Sequence, residues 1–118
     1  MWKKFYKMKK VLIIDDEVDF CLLMKQFLLR KHFSVEMAHT LAEGLSKLED
    51  YHPDFVFLDN NLPDGTGWEN AIYMMAHHPG IKINLISAFK NIKIPGEGRQ
   101  VRVLEKPVTF STLENYLS

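Results

Sequence analysis

Short unbroken apolar runs, each ending in a polar or charged side chain, alternate along this chain with stretches whose apolar positions recur every three or four residues. The first pattern is that of strands covered on both faces, the second that of amphipathic helices. Phe55-Val56-Phe57-Leu58 is the clearest run; it stops at Asp59 and gives way to Asn60-Asn61-Leu62-Pro63-Asp64-Gly65. Lys10 to Ile14 ends the same way in Asp15-Asp16-Glu17, Ile81 to Ser87 ends in a hydroxyl, and Val101 to Leu104 runs into Glu105-Lys106-Pro107. Phe33 to Ala38 has strand character as well.

Between the runs, Phe20, Leu23, Met24, Phe27 and Leu28 predict a helix from Asp19 to near His32 with that stripe in the core. Thr40-Leu41-Ala42-Glu43 matches a capping box, in which a hydroxyl and a carboxylate satisfy free N–H groups, and Leu41, Leu45 and Leu48 then face inward. Gly44 weakens that helix by roughly 1 kcal/mol relative to Ala. Trp68, Ala71, Ile72, Met75 and Ala76 predict a third helix, halted by His78-Pro79-Gly80. Thr109 caps a last short helix with Phe110, Leu113 and Leu117 on its inner face. Strand and helix alternate throughout, which predicts parallel βαβ units with right-handed crossovers in a single α/β domain.

Composition narrows the chemistry. With 118 residues the chain can bury a core without staples, and 15 basic residues balance 15 acidic ones, so no global field points to nucleic acid or a membrane. The single cysteine, Cys21, excludes an intramolecular disulfide and a cysteine-based metal cage; its place between Phe20 and Leu22 reads as a small helix residue. Residues 1–8 are basic and aromatic without the apolar core of a signal peptide, so they read as an extension before a domain spanning 9–118, with a cytoplasmic location.

Open parallel sheets bind ligands at the carboxyl ends of their strands. There this chain places Asp15, Asp16, Asp59, Ser87 and Lys106. Clustered carboxylates raise one another's pKa unless a cation sits among them, and hard oxygen donors select Mg²⁺ or Mn²⁺. A lysine and a hydroxyl at the same mouth suit phosphoryl oxygens, so the set reads as metal-assisted phosphoryl transfer to a carboxylate nucleophile. The histidines lie at element ends or point apart and do not join it.

With Asp15-Asp16, Asp59, Ser87 and Lys106-Pro107 in this order, the chain from Lys9 onward resembles the receiver domain of bacterial two-component response regulators. The resemblance implies a flavodoxin-like (βα)5 doubly wound sheet, five parallel strands in the order 2-1-3-4-5. It implies that Asp59 accepts a phosphoryl group from a histidine kinase or histidine phosphotransfer protein, and that the domain catalyses only its own phosphorylation and dephosphorylation. Asp16 would bind Mg²⁺ directly and Asp15 through water, with Asp59 and the Asn61 backbone carbonyl as further ligands. Ser87 would hydrogen-bond the phosphoryl group, Lys106 would neutralise it, and the Lys106-Pro107 bond would be cis.

Two features depart from that family. Val103 stands where receivers usually carry Tyr or Phe, the rotamer switch coupled to the hydroxyl. The segment from Ala88 to Gln100, with Pro95, Gly96 and Gly98, is short for a parallel crossover of about 10–12 residues or more. The fourth helix is therefore predicted to be shortened or absent, with Phe89 to Gly98 a loop or a single turn. Two other readings compete with the phosphoacceptor. One is a degenerate receiver that docks partners without using its phosphosite. The other is a Mg²⁺-dependent phosphatase with an Asp nucleophile, disfavoured by Asn61 where such enzymes place a second acid.

Overall fold

The computed structural model describes residues 8–88 and 100–117. The prediction for Phe89 to Gly98, and nearly all of the N-terminal extension, lie outside the described residues.

The elements follow in the order β1 (Lys10–Ile14), α1 (Val18–Arg30), β2 (Ser34–Ala38), α2 (Leu41–Tyr51), β3 (Phe55–Asp59), β4 (Asn61–Leu62), β5 (Gly65–Thr66), α3 (Gly67–His77), β6 (Lys82–Ser87), β7 (Val101–Glu105) and α4 (Phe110–Asn115). Five strands form one sheet in the order β2-β1-β3-β6-β7, and every pair in it is parallel. Leaving aside β4 and β5, a small antiparallel hairpin, this is the predicted 2-1-3-4-5 arrangement. The hairpin itself was not anticipated from the sequence.

Alternation along the central strands divides the core in two. Leu12 and Ile14 of β1 and Val56 and Leu58 of β3 pack with Leu41 and Leu48 of α2 and Ala71 and Met74 of α3. Their neighbours Val11, Ile13, Phe55 and Phe57 face the other way, onto Cys21, Met24, Phe27 and Leu28 of α1 and Leu113 of α4. Helices on both faces explain why these strands are continuously apolar, and β3 is buried at every position. Across that second layer, the Phe27 and Phe110 rings stack 4.6 Å apart and join α1 to α4.

Two helical stripes differ from the periodic reading. Leu23 is 57% exposed, and α1 buries Cys21, Met24, Phe27 and Leu28 instead. Leu23 lies one 100° step beside the face centred on Met24, so it reaches solvent. On α3 the buried line is Gly67, Ala71 and Met74, while Trp68 and Ile72 turn outward by the same step and Ala76, two steps past Met74, faces solvent. Phe110 is also largely exposed, with one ring face against Phe27.

The predicted caps form. Thr40 Oγ1 accepts the Glu43 N–H at 3.1 Å, and Thr109 Oγ1 accepts the Thr112 N–H at 3.1 Å. The Glu43 carboxylate accepts the N–H of His39 at 2.7 Å, one residue before the cap. A second carboxylate closes the same helix end: Asp64, in the β4–β5 turn, accepts from Leu41 N–H (2.8 Å) and Ala42 N–H (2.9 Å). Both bonds hold its carboxyl below the ordinary range.

Candidate phosphoryl-transfer site

Parallel pairing brings the ends of β1, β3, β6 and β7 to one edge of the sheet. Asp15 and Asp59 are 1% and 2% exposed although both are acids, and Asp16 is exposed. One carboxylate oxygen from each of the three can be chosen so that all lie within 4.8 Å of one another. The Lys106 ammonium is 3.1 Å from Asp59 Oδ1 and 3.9 Å from Glu17 Oε1. Asn61 N–H donates to the same Asp59 oxygen at 3.2 Å.

Local backbone contacts fix these positions. Lys106 N–H donates to the Ser87 carbonyl (2.8 Å), continuing the β6–β7 ladder one step beyond the strands, and the Lys106-Pro107 bond is cis, as the resemblance implied. Asn60 N–H donates to the Ile86 carbonyl (2.8 Å), so β3 stays tied to β6 past Asp59. Asn60 then turns to the next helix: its carbonyl accepts from Gly67 N–H (2.9 Å) and its Oδ1 from Trp68 N–H (3.0 Å). A side chain on Gly67 would meet the Asp59 carbonyl at 2.5 Å, which is why the start of α3 can approach the acid so closely.

The electrostatics follow from burial. Desolvation is the chief reason the Asp15 carboxyl is pushed up to about 6; the Glu17 N–H it accepts at 2.9 Å opposes that, and the Asp59 charge adds to it. For Lys106 burial works downward, but the hydrogen bond to Asp59 and the charges of Asp59, Asp15 and Glu17 together hold it above its ordinary value. Burial likewise pushes the Cys21 thiol up to about 12, aided by the nearby acids, so it is an S–H group and no nucleophile.

A cavity of about 330 Å³ opens beside Asp59, lined by Asn60, Asn61, Thr66, Ser87, Ala88 and Lys106. A second, of about 430 Å³, lies on the other side of Lys106 between Asp15, Glu17, Phe20, Ile86, Pro107 and Val108. Three carboxylates in mutual reach, one of them carrying a raised pKa, form a donor set that suits a small divalent cation. A buried acceptor beside a lysine and a hydroxyl-lined cavity suits an incoming phosphoryl group.

The family model for the response regulator receiver domain matches residues 11–118. The chain belongs to this family. It is thus a receiver domain of two-component signalling. It is 32% identical over 82 residues to the chemotaxis protein CheY of Listeria monocytogenes, an alignment covering 69% of each chain. Among solved structures, a CheY-like receiver domain from Methanospirillum hungatei is 27% identical with a TM-score of 0.82, covering 92% of this chain and 90% of that one. TrrA of Thermotoga maritima, solved in complex with Mg²⁺-BeF, is 25% identical with a TM-score of 0.80, covering 92% and 95%. The first curated relatives are longer, and this chain spans 43% and 25% of their lengths.

The receiver sheet thus gathers Asp15, Asp16, Asp59, Ser87 and Lys106 at one mouth. Around them stand residues that sequence reasoning passed over. Asn60 holds the start of α3, and Asp64 holds the start of α2. His39 Nδ1 lies 2.8 Å from the Asp15 carbonyl, toward which Cys21 Sγ–H also donates at 3.3 Å. Val103, where this receiver departs from its family, is partly buried and packs against the α2/α3 side of the core.

Proposed function

We propose that Asp59 is the phosphoacceptor of this receiver, modified by a histidine kinase or a histidine phosphotransfer protein in a Mg²⁺-dependent reaction. The observation that carries the reading is the Lys106 ammonium 3.1 Å from an Asp59 oxygen whose carboxylate is within 4.8 Å reach of Asp15 and Asp16. Lys106 and Asn61 N–H both hold Oδ1, which orients the group and leaves Oδ2 as the attacking oxygen. That oxygen forms the new bond to phosphorus while the P–N bond of the donor phosphohistidine breaks, its electron pair leaving with the imidazole. Asp16 and Asp59 would hold Mg²⁺ with the Asn61 carbonyl, and Asp15 would hold it through water. The ion, when bound, supplies positive charge to the phosphoryl oxygens. Ser87, at the end of β6, then hydrogen-bonds one of those oxygens and Lys106 neutralises another.

The domain is its own catalyst for phosphorylation and for hydrolysis, with no further substrate. The kinase is met on the exposed side of α1, where Val18 and Leu22, four residues apart, share one solvent-facing row. The same reading locates the domain in the cytoplasm, with its kinase's catalytic domain.

A second reading draws on Val103, whose β-branched side chain has no ring to swing toward Ser87. On that reading the domain docks partners irrespective of phosphorylation. Incubation with a small acyl phosphate and Mg²⁺, followed by intact-mass measurement, separates the two. A gain of one phosphoryl group that is absent in Asp59→Asn and in chelator supports the phosphoacceptor. No gain in the parent protein overturns it in favour of the docking module.

A further inference from the structure

The Asp15 carbonyl lies where the β1–β2 ladder ends. Asp15 N–H still donates to the Ala38 carbonyl at 2.9 Å, but the last paired residues are Ile14 and Ala38, and the chain then turns away into α2. A buried carbonyl left there would need another donor. It receives two: His39 Nδ1 at 2.8 Å and Cys21 Sγ–H at 3.3 Å. A carbonyl can only accept, so His39 carries its proton on Nδ1 and Cys21 keeps its thiol hydrogen.

His39 is itself held. Its N–H donates to Glu43 Oε1 at 2.7 Å, on the first turn of α2, and that same turn is fastened by Asp64 through Leu41 and Ala42. Asp64 belongs to the hairpin that directly follows Asp59. A continuous path therefore runs from the β3 acid through the hairpin and the start of α2 to His39, and from His39 to the backbone that bears Asp15 and Asp16.

We propose that His39, assisted by Cys21, is a positioning residue that sets Asp15 and Asp16 for the cation by clamping the Asp15 carbonyl. The proposal rests on the reading of these acids as the Mg²⁺ site. His39 touches neither ion nor phosphoryl group; it acts on the peptide from which both carboxylates spring. Groups that orient metal ligands from behind are commonly worth 10–100-fold in affinity.

The test compares the parent with His39→Leu, which removes the donor, and His39→Asn, whose amide can place an N–H where Nδ1 sits. Mg²⁺ is titrated calorimetrically into the metal-free proteins, and amide hydrogen exchange is followed at Glu17, whose N–H is held by Asp15 Oδ1 at 2.9 Å. His39→Leu should weaken Mg²⁺ binding about tenfold and speed exchange locally at Glu17, and His39→Asn should restore both to within about threefold of the parent. Binding by His39→Leu equal to the parent's, or no rescue by asparagine, overturns the clamp. Should His39→Leu fail to fold, Glu43→Ala frees the His39 backbone from the exposed side and should shift both measurements in the same direction; no change overturns the clamp. A parent that binds no Mg²⁺ overturns the metal reading instead, and Glu17 exchange still judges the clamp: an unchanged rate in His39→Leu refutes it.

Discussion

Gly44 of α2 lies directly on Ile14 of β1: a Cβ built on the glycine would be 2.6 Å from Ile14 Cδ1, 2.9 Å from Cγ1 and 3.0 Å from Cγ2. Ile14 is fully buried, so its side chain can give way only by displacing other core side chains. In sequence terms the glycine costs its helix roughly 1 kcal/mol relative to alanine. In the fold it lets α2 settle onto the sheet just before the strand delivers Asp15.

Gly44→Ala should therefore destabilise the protein by about 1–3 kcal/mol, because overpacking outweighs the gain in helix propensity. Urea unfolding would show the midpoint falling. Adding Ile14→Val, which removes Cδ1, should recover part of the loss, and a Gly44→Ala protein more stable than the parent would contradict this account of the contact.

Gly67 sits against the other strand end. Its missing Cβ would be 2.5 Å from the Asp59 carbonyl and 3.0 Å from Asn60 Cα, and backbone atoms cannot rotate away as a side-chain tip can. Gly67→Ala should push the Asp59–Asn60 peptide and cost about 1–3 kcal/mol. It should also slow phosphorylation by a small acyl phosphate, which Gly44→Ala, farther from the acceptor, should affect less. Equal phosphorylation rates in the two variants would show that the α3 approach does not position Asp59.

The two glycines illustrate what the sequence conveys and what it does not. The parallel strands and both acids at their ends are legible because apolar runs such as Phe55 to Leu58 end abruptly in charge, and parallel packing has one place for such ends; the order of the strands comes from the resemblance to receiver domains. Helix faces are less legible. Leu23, Trp68 and Ile72 extend apolar stripes by one residue, and periodicity alone does not separate a core position from its neighbour on the rim. The residues that hold the site, His39 and Asp64, act on positions 24 and 23–22 residues away in sequence. Nothing in the local pattern marks them; only the closing of the sheet brings them to their partners.

The exposed start of α1 should separate protein donors from small ones. Leu22 is largely solvent-exposed, so Leu22→Glu should change stability by no more than about 0.5 kcal/mol. If a kinase helix covers this side chain, losing its burial should cost about 1.4 kcal/mol or more, a tenfold fall in kcat/KM for phosphotransfer. Phosphorylation by an acyl phosphate should be unchanged. Equal losses with both donors would place the effect in the acidic pocket and remove α1 from the docking surface.

Asp15 should make the metal-free protein less stable as pH rises. Its carboxyl goes from an ordinary 3.8 to about 6 on folding, chiefly through burial, so the folded state binds this proton more tightly than the unfolded one. The sign follows: the stabilisation is complete below 3.8 and is lost as pH climbs through about 6, where the folded state must carry a desolvated charge. At about 1.4 kcal/mol per tenfold in proton affinity, the cost above that range is about 3 kcal/mol. Asp15→Asn keeps an oxygen for the Glu17 N–H and removes the charge. It should raise the Tm of the metal-free protein near about pH 8 and leave it nearly unchanged near about pH 4. Saturating Mg²⁺ should narrow the gap at the higher pH, stabilising the parent more than the variant, because the ion's charge, reaching Asp15 through water, offsets the buried carboxylate. An Asp15→Asn protein no more stable than the parent at about pH 8 without metal would mean that the buried charge costs the fold nothing.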